Sequence, residues 1–381
     1  MTVLLIIAGL LFLLYALLLY FYRRWFLGLK EFVPSQTTNT NIFFSVVIAA
    51  RNEERNIGIL LQCLVQQTYS PSQFEVLVVD DHSDDGTATK VKDWMALHRN
   101  IRCLSLADYV KGAKLNSYKK KAIEYGVQEA RGEWIITTDA DCVMGKDWIS
   151  TYNNFIHQSN AGFVAAPVAY TYNNSALQLL QAADFLTLQG ITAAGISGRF
   201  HNMCNGANLA YKRSLFFEAG GFAGIDAVAS GDDLLLMQKI WRLQPDKIGY
   251  LKSTNAVVTT APMPTWKDLF RQRIRWASKS SQYKEEKMIF SLLLVYLVNL
   301  LFLVFAVSGF FNAFWWLAAL GYLLLKTAAE LPFFISVCKF YKEQKLVNAF
   351  LFLQPLHIVY INTVGFLSQV GSYEWKGRRT K

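Results

Sequence analysis

Two carboxylates one residue apart, Asp139 and Asp141, end an apolar run in the stretch RGEWIITTDADCVMGK, Arg131 to Lys146. Trp134, Ile135 and Ile136 give Glu133 to Thr137 the composition of a short buried strand. Side chains two apart on a strand share a face, so at its end these carboxylates converge on one small volume. Carboxylates held that close repel each other unless a cation sits between them. Oxygen ligands suit Mg²⁺ or Mn²⁺, ions that also take oxygens from a substrate phosphate. A lone Asp-x-Asp triplet is equally a solvated turn, so its meaning depends on its neighbours.

Three further polar clusters occur at comparable places. Arg51-Asn52-Glu53-Glu54 ends the apolar run Phe43–Ala50, and Asp80-Asp81-His82-Ser83-Asp84-Asp85-Gly86-Thr87 follows the run Phe74–Val79. Ser230-Gly231-Asp232-Asp233 precedes Leu234–Trp241, which has helical spacing. A single carboxylate at a helix start is an ordinary cap favoured by the helix dipole. Two together at a helix mouth are more suggestive.

The elements that must position these clusters alternate. Helical spacing covers Asn56–Gln67 through Ile57, Leu60, Leu61, Leu64 and Val65. Helices are predicted over Ala88–Arg99 and Lys119–Ala130, with a strand over Ile101–Leu106 between them. Alternation of strand and helix predicts a mostly parallel sheet covered on both faces. Ligands of such sheets bind beyond the carboxyl ends of the strands. The clusters Arg51–Glu54, Asp80–Asp85 and Asp139–Asp141 therefore share one sheet edge and line one pocket. No Walker A sequence and no G-x-G-x-x-G after the first strand is present, which speaks against a P-loop NTPase and a dinucleotide oxidoreductase. Further on, Phe163–Ala169 reads as a strand, Asn205-Gly206-Ala207-Asn208 as a turn into Leu209–Tyr211, and the rest as irregular.

Hydrophobic residues make up 53% of the 381 and charged residues 17%, too apolar for an ordinary soluble protein. The excess lies at the two ends. Val3–Tyr22 carries no formal charge and is long enough to cross a bilayer, giving an N-terminal transmembrane helix over 1–25. Arg23 and Arg24 place the following domain in the cytosol and the N-terminus outside. Phe32–Asn41 reads as a linker. Pro264–Trp276, PTWKDLFRQRIRW, reads as a basic amphipathic helix on the membrane surface, within 264–280. Thr265 is its predicted cap, and Arg271, Arg273 and Arg275 cluster beside its apolar and aromatic side. Ile289–Phe311 and Ala313–Cys338 are spans, and Lys326 and Glu330, four apart in the second, can pair. Lys339, Lys342 and Lys345 mark a cytoplasmic loop. Leu346–Val370 contains Pro355, His357, Asn362 and Gln369. Crossing there would put Lys376, Arg378, Arg379 and Lys381 outside, against the positive-inside tendency, so it reads as re-entrant or interfacial. The net charge of +10 thus belongs to topology and anionic lipid contacts, not to nucleic acid. Cys63, Cys103, Cys142, Cys204 and Cys338 are scattered without a C-x-x-C, which fits a reducing cytosol.

From about Ser45 to Trp276 the chain resembles the family 2 glycosyltransferases, inverting enzymes with the GT-A fold. SVVIAARNEE resembles the family's opening strand and nucleotide loop, and VVDDHSDDGT its uracil-binding stretch. KKKAIEYGVQEARGEWIITTDADC resembles its Lys-x-x-Ala helix leading into the metal-binding DxD. GDD resembles its acidic pair, with Asp232 standing where Glu is usual, and QRIRW the QxxRW motif of membrane-bound members.

The resemblance implies an α/β GT-A domain over 42–285 and a C-terminal membrane region over 286–381. It implies that Asp81 binds the donor base, with Ala49, Arg51 and Glu53 shaping that pocket. Asp139 and Asp141 would hold Mg²⁺ or Mn²⁺ across the diphosphate, and Lys119 matches the family's Lys, though it is also one of three lysines in a row. Asp233, beside Asp232, would be the base that deprotonates the acceptor. Gln272, Arg273, Arg275 and Trp276 would close over the diphosphate. The implied partners are a nucleotide-sugar donor, usually a uridine diphosphate sugar in this family, a membrane lipid acceptor and the bilayer. The implied location is the plasma membrane, with the catalytic domain cytoplasmic. Three or four spans favour transfer of a single sugar over a processive polysaccharide synthase, which needs enough helices for a pore. A non-catalytic binder of nucleotide sugars is the remaining alternative, disfavoured because every acidic motif stands.

Overall fold

The computed structural model describes residues 2–34, 41–112, 115–226, 231–278, 285–370, 373–375 and 378–380, with side chains as far as residue 368. In chain order, α1 (Thr2–Gly28) precedes β1 (Phe44–Ala50), α2 (Ile57–Val65), β2 (Phe74–Asp80), α3 (Thr87–Leu97) and β3 (Ile101–Ser105). A short α4 (Leu106–Val110) and α5 (Tyr118–Glu129) lead to β4 (Trp134–Thr137). Then come β5 (Val143–Met144), α6 (Trp148–Gln158), β6 (Phe163–Ala165), β7 (Val168–Tyr170) and α7 (Ala176–Ser197). β8 (Leu209–Lys212), α8 (Arg213–Glu218), α9 (Asp232–Leu243), β9 (Ile248–Tyr250) and β10 (Val258–Thr260) follow. The last elements are α10 (Trp266–Ala277), α11 (Glu286–Ser308), α12 (Phe314–Tyr341), α13 (Leu346–Val370), β11 (Tyr373–Trp375) and β12 (Arg378–Thr380).

Two units divide the chain. One holds residues Lys30–Thr171 and Asn202–Ala261, the other Met1–Leu29, Tyr172–His201 and Pro262–Thr380.

The first unit is built on a seven-stranded sheet in the order β3-β2-β1-β4-β8-β6-β9. β1 pairs parallel with β2 and with β4, and β2 pairs parallel with β3, as the alternation predicts. β8 runs antiparallel to both β4 and β6. Phe44, Val46, Val47, Ile48, Val76, Leu77, Val78 and Val79 are buried, so β1 and β2 read as continuous apolar runs because both faces are covered. α5 lies close on this layer: a Cβ on Gly126 would stand 2.5 Å from Val47 Cγ1. At the other end of the strands, buried Glu75 is clamped by Arg131 Nη2 at 2.8 Å and by the Ser45 hydroxyl at 2.8 Å. Phe163–Ala169 does not form one strand. It divides at Ala166-Pro167 into β6 and β7, which belong to different sheets. Pro167 has no N–H to continue a ladder.

The second unit is helical. α1, α11, α12 and Leu346–Ser368 of α13 are long and apolar enough to cross a membrane. α1 buries Ala8, Tyr15, Leu18, Leu19, Tyr22 and Phe26 on one side and exposes Val3, Ile6, Leu10, Leu13 and Leu17 on another. Lys326 is fully buried and meets Glu330 Oε1 at 2.6 Å, the pairing its spacing predicts. Gln354 of α13 completes this group, accepting from Lys326 at 2.9 Å and donating to Glu330 at 2.7 Å.

Two sequence expectations change here. Leu346–Val370 is one unbroken helix through Pro355, not a segment that turns back. The stretch before Ser197, read as irregular, is the 22-residue helix α7, capped by Ser175. Its pattern hides it: Leu180, Ala183, Phe185, Gln181, Asp184, Gln189 and Thr192 are all buried, so no polar face marks the helical period. The predicted basic tail, Lys376, Arg378, Arg379 and Lys381, lies outside the described side chains, as do linker residues 35–40, Ser230, and residues 279 and 280 of the predicted surface helix.

Candidate active site

Strand order places the site. From β1 the chain moves outward to β2 and β3, then returns to β4 on the other side of β1. The connections leaving β1 and β4 therefore run to opposite sides, and in such sheets ligands bind beyond the carboxyl ends of the strands at this point.

The loops after β1 and β2 are laced together. Arg51 Nη1 donates to the carbonyl oxygens of Asp81 (3.0 Å) and His82 (3.1 Å). Asn52 donates its N–H to Ser83 Oγ, and its side-chain oxygen accepts from the Asp84 N–H. Glu53 and Glu54 donate their N–H groups to Thr87 Oγ1 and Asp85 Oδ2. Asn52 and His82 sit in the left-handed region, at φ 52° and 54°. Much of the Asp80–Asp85 acidity therefore fixes loop shape. Arg51 does the same, tying one strand end to the next. Ala49 packs against Val79, Leu106 and Ala122. Asp81 is buried, with Oδ1 2.9 Å from His82 Nδ1.

The second group comes from α5, β4 and α9. Lys119 Nζ lies 2.7 Å from Asp139 Oδ1 and 3.7 Å from Asp232 Oδ2. Burial alone would lower the pKa of this ammonium, but Asp139 and Asp232 outweigh burial and hold it above its usual value. Its neighbours have other partners: buried Lys120 donates to the Ile225 carbonyl at 2.6 Å, and Lys121 pairs with Glu124 at 2.6 Å. The three lysines are therefore not one solvated face. The Asp141 carboxyl is raised by burial, then by the charges of Asp139 and Glu53, while Thr260 Oγ1 donates to its Oδ2 at 3.2 Å.

Asp232 and Asp233 open α9. The cap is Gly231, at φ 76°, so neither carboxylate is the cap itself. Asp233 Oδ1 accepts the Leu234 N–H of its own first turn at 2.8 Å, a local helix-start role. Its Oδ2 accepts the Gly206 N–H at 2.8 Å. Thr137 Oγ1 of β4 donates to the Gly206 carbonyl at 3.2 Å, so the 205–208 turn links the end of β4 to the start of α9. Asn208 anchors that turn: its oxygen accepts from Trp148 Nε1 (3.0 Å) and the Tyr152 hydroxyl (2.9 Å), and its amide donates to the Pro167 and Ala256 carbonyls.

Among the described residues, no three His, Cys, Asp or Glu side chains form a metal cage. Asp139 and Asp141 provide two carboxylates, which fits an ion that takes its remaining oxygens from a diphosphate and water. The ammonium drawn onto Asp139 marks a place that attracts positive charge.

Gln272, Arg273, Arg275 and Trp276 lie on α10 in the helical unit. Thr265 caps that helix by accepting from the Asp268 N–H at 3.2 Å. Arg273 is buried, with Nη2 2.8 Å from Asp184 Oδ2 and its guanidinium 4.4 Å from the Trp276 ring centroid. His357 Nε2 lies 3.3 Å from Asp184 Oδ1. Burial would raise the Asp184 carboxyl, but Arg273 and His357 hold it below its usual range. The charge of Arg273 is thus engaged by Asp184. Sequence reasoning missed Asp184 and Thr260, and noted His357 without a partner. An aspartate inside the apolar run of α7 was the available signal for the first; Thr260 had none.

Residues 45–226 match the family described as Glycosyl transferase family 2. Glycosyltransferase AglE of Haloferax volcanii is 26% identical over 239 residues, covering 62% of this chain and 73% of that protein. The probable glycosyltransferase YdaM of Bacillus subtilis is 28% identical, covering 63% of this chain and 55% of that protein. The beta-monoglucosyldiacylglycerol synthase of Trichormus variabilis is 28% identical over 107 residues, covering 28% of this chain and 22% of that protein. In three dimensions, the mannosyltransferase PcManGT from Pyrobaculum calidifontis, solved with GDP-Man and Mn²⁺, matches with a TM-score of 0.60 at 19% identity. That match covers 93% of this chain and 97% of PcManGT, and it establishes the GT-A fold.

Proposed function

We propose that this chain, whose residues 45–226 match the Glycosyl transferase family 2 model and whose fold is GT-A, is a glycosyltransferase of that family and transfers one sugar from a nucleotide diphosphate sugar to a membrane lipid. The donor we favour is a uridine diphosphate sugar, and the acceptor atom is a lipid hydroxyl or phosphate oxygen. One observation carries the reading: Asp139 and Asp232, far apart in the chain, both approach the ammonium of Lys119, at the end of β4 and the start of α9.

The roles follow from the surroundings of each group. Asp81 accepts a hydrogen bond from the donor base, and Arg51 fixes the loop that carries it. Asp139 and Asp141 are the carboxylates that would hold Mg²⁺ or Mn²⁺, which supplies Lewis-acid stabilisation of the departing diphosphate. The Mn²⁺ in PcManGT is in keeping with such an ion. Asp233 receives the proton of an acceptor hydroxyl as its oxygen attacks the anomeric carbon from the face opposite the leaving group. The C–O bond to the diphosphate breaks as the new one forms, and the configuration inverts. Hydrogen bonds from Gly206 and Leu234 fix the orientation of the Asp233 carboxylate. Four helices of membrane length and a relative named for diacylglycerol glycosylation support a lipid acceptor. We place the sheet domain on the cytoplasmic side of the plasma membrane, from Arg23 and Arg24 beside the first span.

The test is a panel of radiolabelled nucleotide sugars incubated with membranes that hold the protein. Label in the lipid extract from one donor is the expected result. Label only in a long water-soluble polymer would favour a processive synthase. Donor binding without any transfer would favour a non-catalytic binder.

A further inference from the structure

Lys119 occupies an unexpected place for a donor-binding residue. Its ammonium lies on the Asp139 carboxylate itself, at 2.7 Å, and within 3.7 Å of Asp232. An N⁺–H···O⁻ contact of that length is a charge-assisted hydrogen bond. The adjacent lysines are held elsewhere, by the Ile225 carbonyl and by Glu124, so the contact is specific to Lys119. A divalent ion coordinated by Asp139 would need the same electron density, from about 2.0–2.1 Å for Mg²⁺. Two cations cannot share that oxygen at such distances without strong repulsion. The Lys119 side chain is 26% exposed and sits on a flexible four-carbon stem, so its head has room to leave.

We propose that Lys119 is a resident counter-cation that competes with the divalent ion for Asp139. With neither donor nor metal bound, the ammonium neutralises part of the acidic cluster and holds Asp139 and Asp232 in place. The incoming ion displaces it. Metal binding to the protein alone is therefore weak. A nucleoside diphosphate relieves the competition, because its oxygens complete the coordination and offer the released ammonium a new anion. Metal and nucleotide then bind with positive coupling, and by linkage each strengthens the other by the same factor. The device would keep the site from closing around an ion before a donor arrives.

This inference rests on Asp139 and Asp141 being the metal pair. The experiment measures Mn²⁺ binding to the full-length protein in detergent, by the electron paramagnetic resonance signal of free Mn²⁺, without nucleotide and with saturating UDP or GDP. In the wild type, one of the nucleotides should tighten Mn²⁺ binding by at least about tenfold. Lys119→Met and Lys119→Gln should bind Mn²⁺ alone at least about tenfold more tightly than the wild type, and the coupling to nucleotide should shrink by a similar factor. Lys119→Arg, which keeps the positive charge, should stay close to wild type. Normal Mn²⁺ binding with nucleotide, but no coupling in the wild type or no gain in the neutral variants, would overturn the Lys119 proposal alone. No Mn²⁺ binding under any condition would instead remove the metal pair and the proposal with it.

Discussion

Replacing Asp184 by Asn removes one charge from the buried group that joins α7, α10 and α13. Asp184 is 9% exposed and Arg273 4% exposed, and they meet at 2.8 Å. Asparagine keeps nearly the same shape and still offers His357 an acceptor. It removes the carboxylate charge that Arg273 meets while the guanidinium stays buried, and breaking a buried pair on one side costs about 3–5 kcal/mol. The stacking of Arg273 on Trp276 at 4.4 Å is common to both proteins and leaves this difference unchanged. At roughly 2–4 °C per kcal/mol, the melting temperature should fall by about 6–20 °C. Tryptophan fluorescence during heating in detergent measures it. The double variant Asp184→Asn with Arg273→Met removes both charges of the pair and should recover more than half of the loss. If the single variant melts within about 2 °C of wild type, or the two substitutions simply add, the claim that the pair is a coupled buried unit fails.

Other outcomes follow from the sheet domain. Asp233→Asn should lower sugar transfer by about 10²–10⁴-fold, the usual worth of a general base, with nucleotide affinity nearly unchanged; wild-type turnover would take Asp233 out of the mechanism. Replacing both Asp139 and Asp141 by Ala should abolish metal-dependent nucleotide binding in calorimetry, and an unchanged affinity would refute the ion site. Glu75 gives a pH signature. Burial tends to raise its carboxyl, but Arg131 and Ser45 outweigh burial and hold it below its usual value. A depressed carboxylate stabilises the fold above its unfolded pKa, about 4.3, and that contribution is lost as pH falls toward the folded value. The melting temperature of the wild type should therefore drop more steeply below about pH 4.5 than that of Glu75→Gln; parallel curves would contradict this. The same tests separate roles at α5: exchange of Lys119 should change metal binding, whereas exchange of Lys121, paired with Glu124, should not.

The amino-acid order alone determined the alternating α/β plan and the sheet edge that carries the acidic clusters. It did so because strand runs such as Phe44–Ala50 and Phe74–Asp80 are buried on both faces, and their polar ends are local in sequence. The membrane-length helices were legible for the same reason, since twenty apolar residues in a row need no partner to be recognised. The tertiary structure decided the partners. Nothing in KKK says that the first lysine meets Asp139, the second the Ile225 carbonyl and the third Glu124. Nothing near Arg273 announces Asp184, and His357 lies 173 positions from that aspartate. Helix α7 escaped notice because burial on all sides erases the period that betrays a surface helix. Pattern reveals what each segment is, because solvent and neighbours in sequence impose it. Which charges neutralise one another depends on where the packed chain brings them, and that is fixed only when distant segments share one interior.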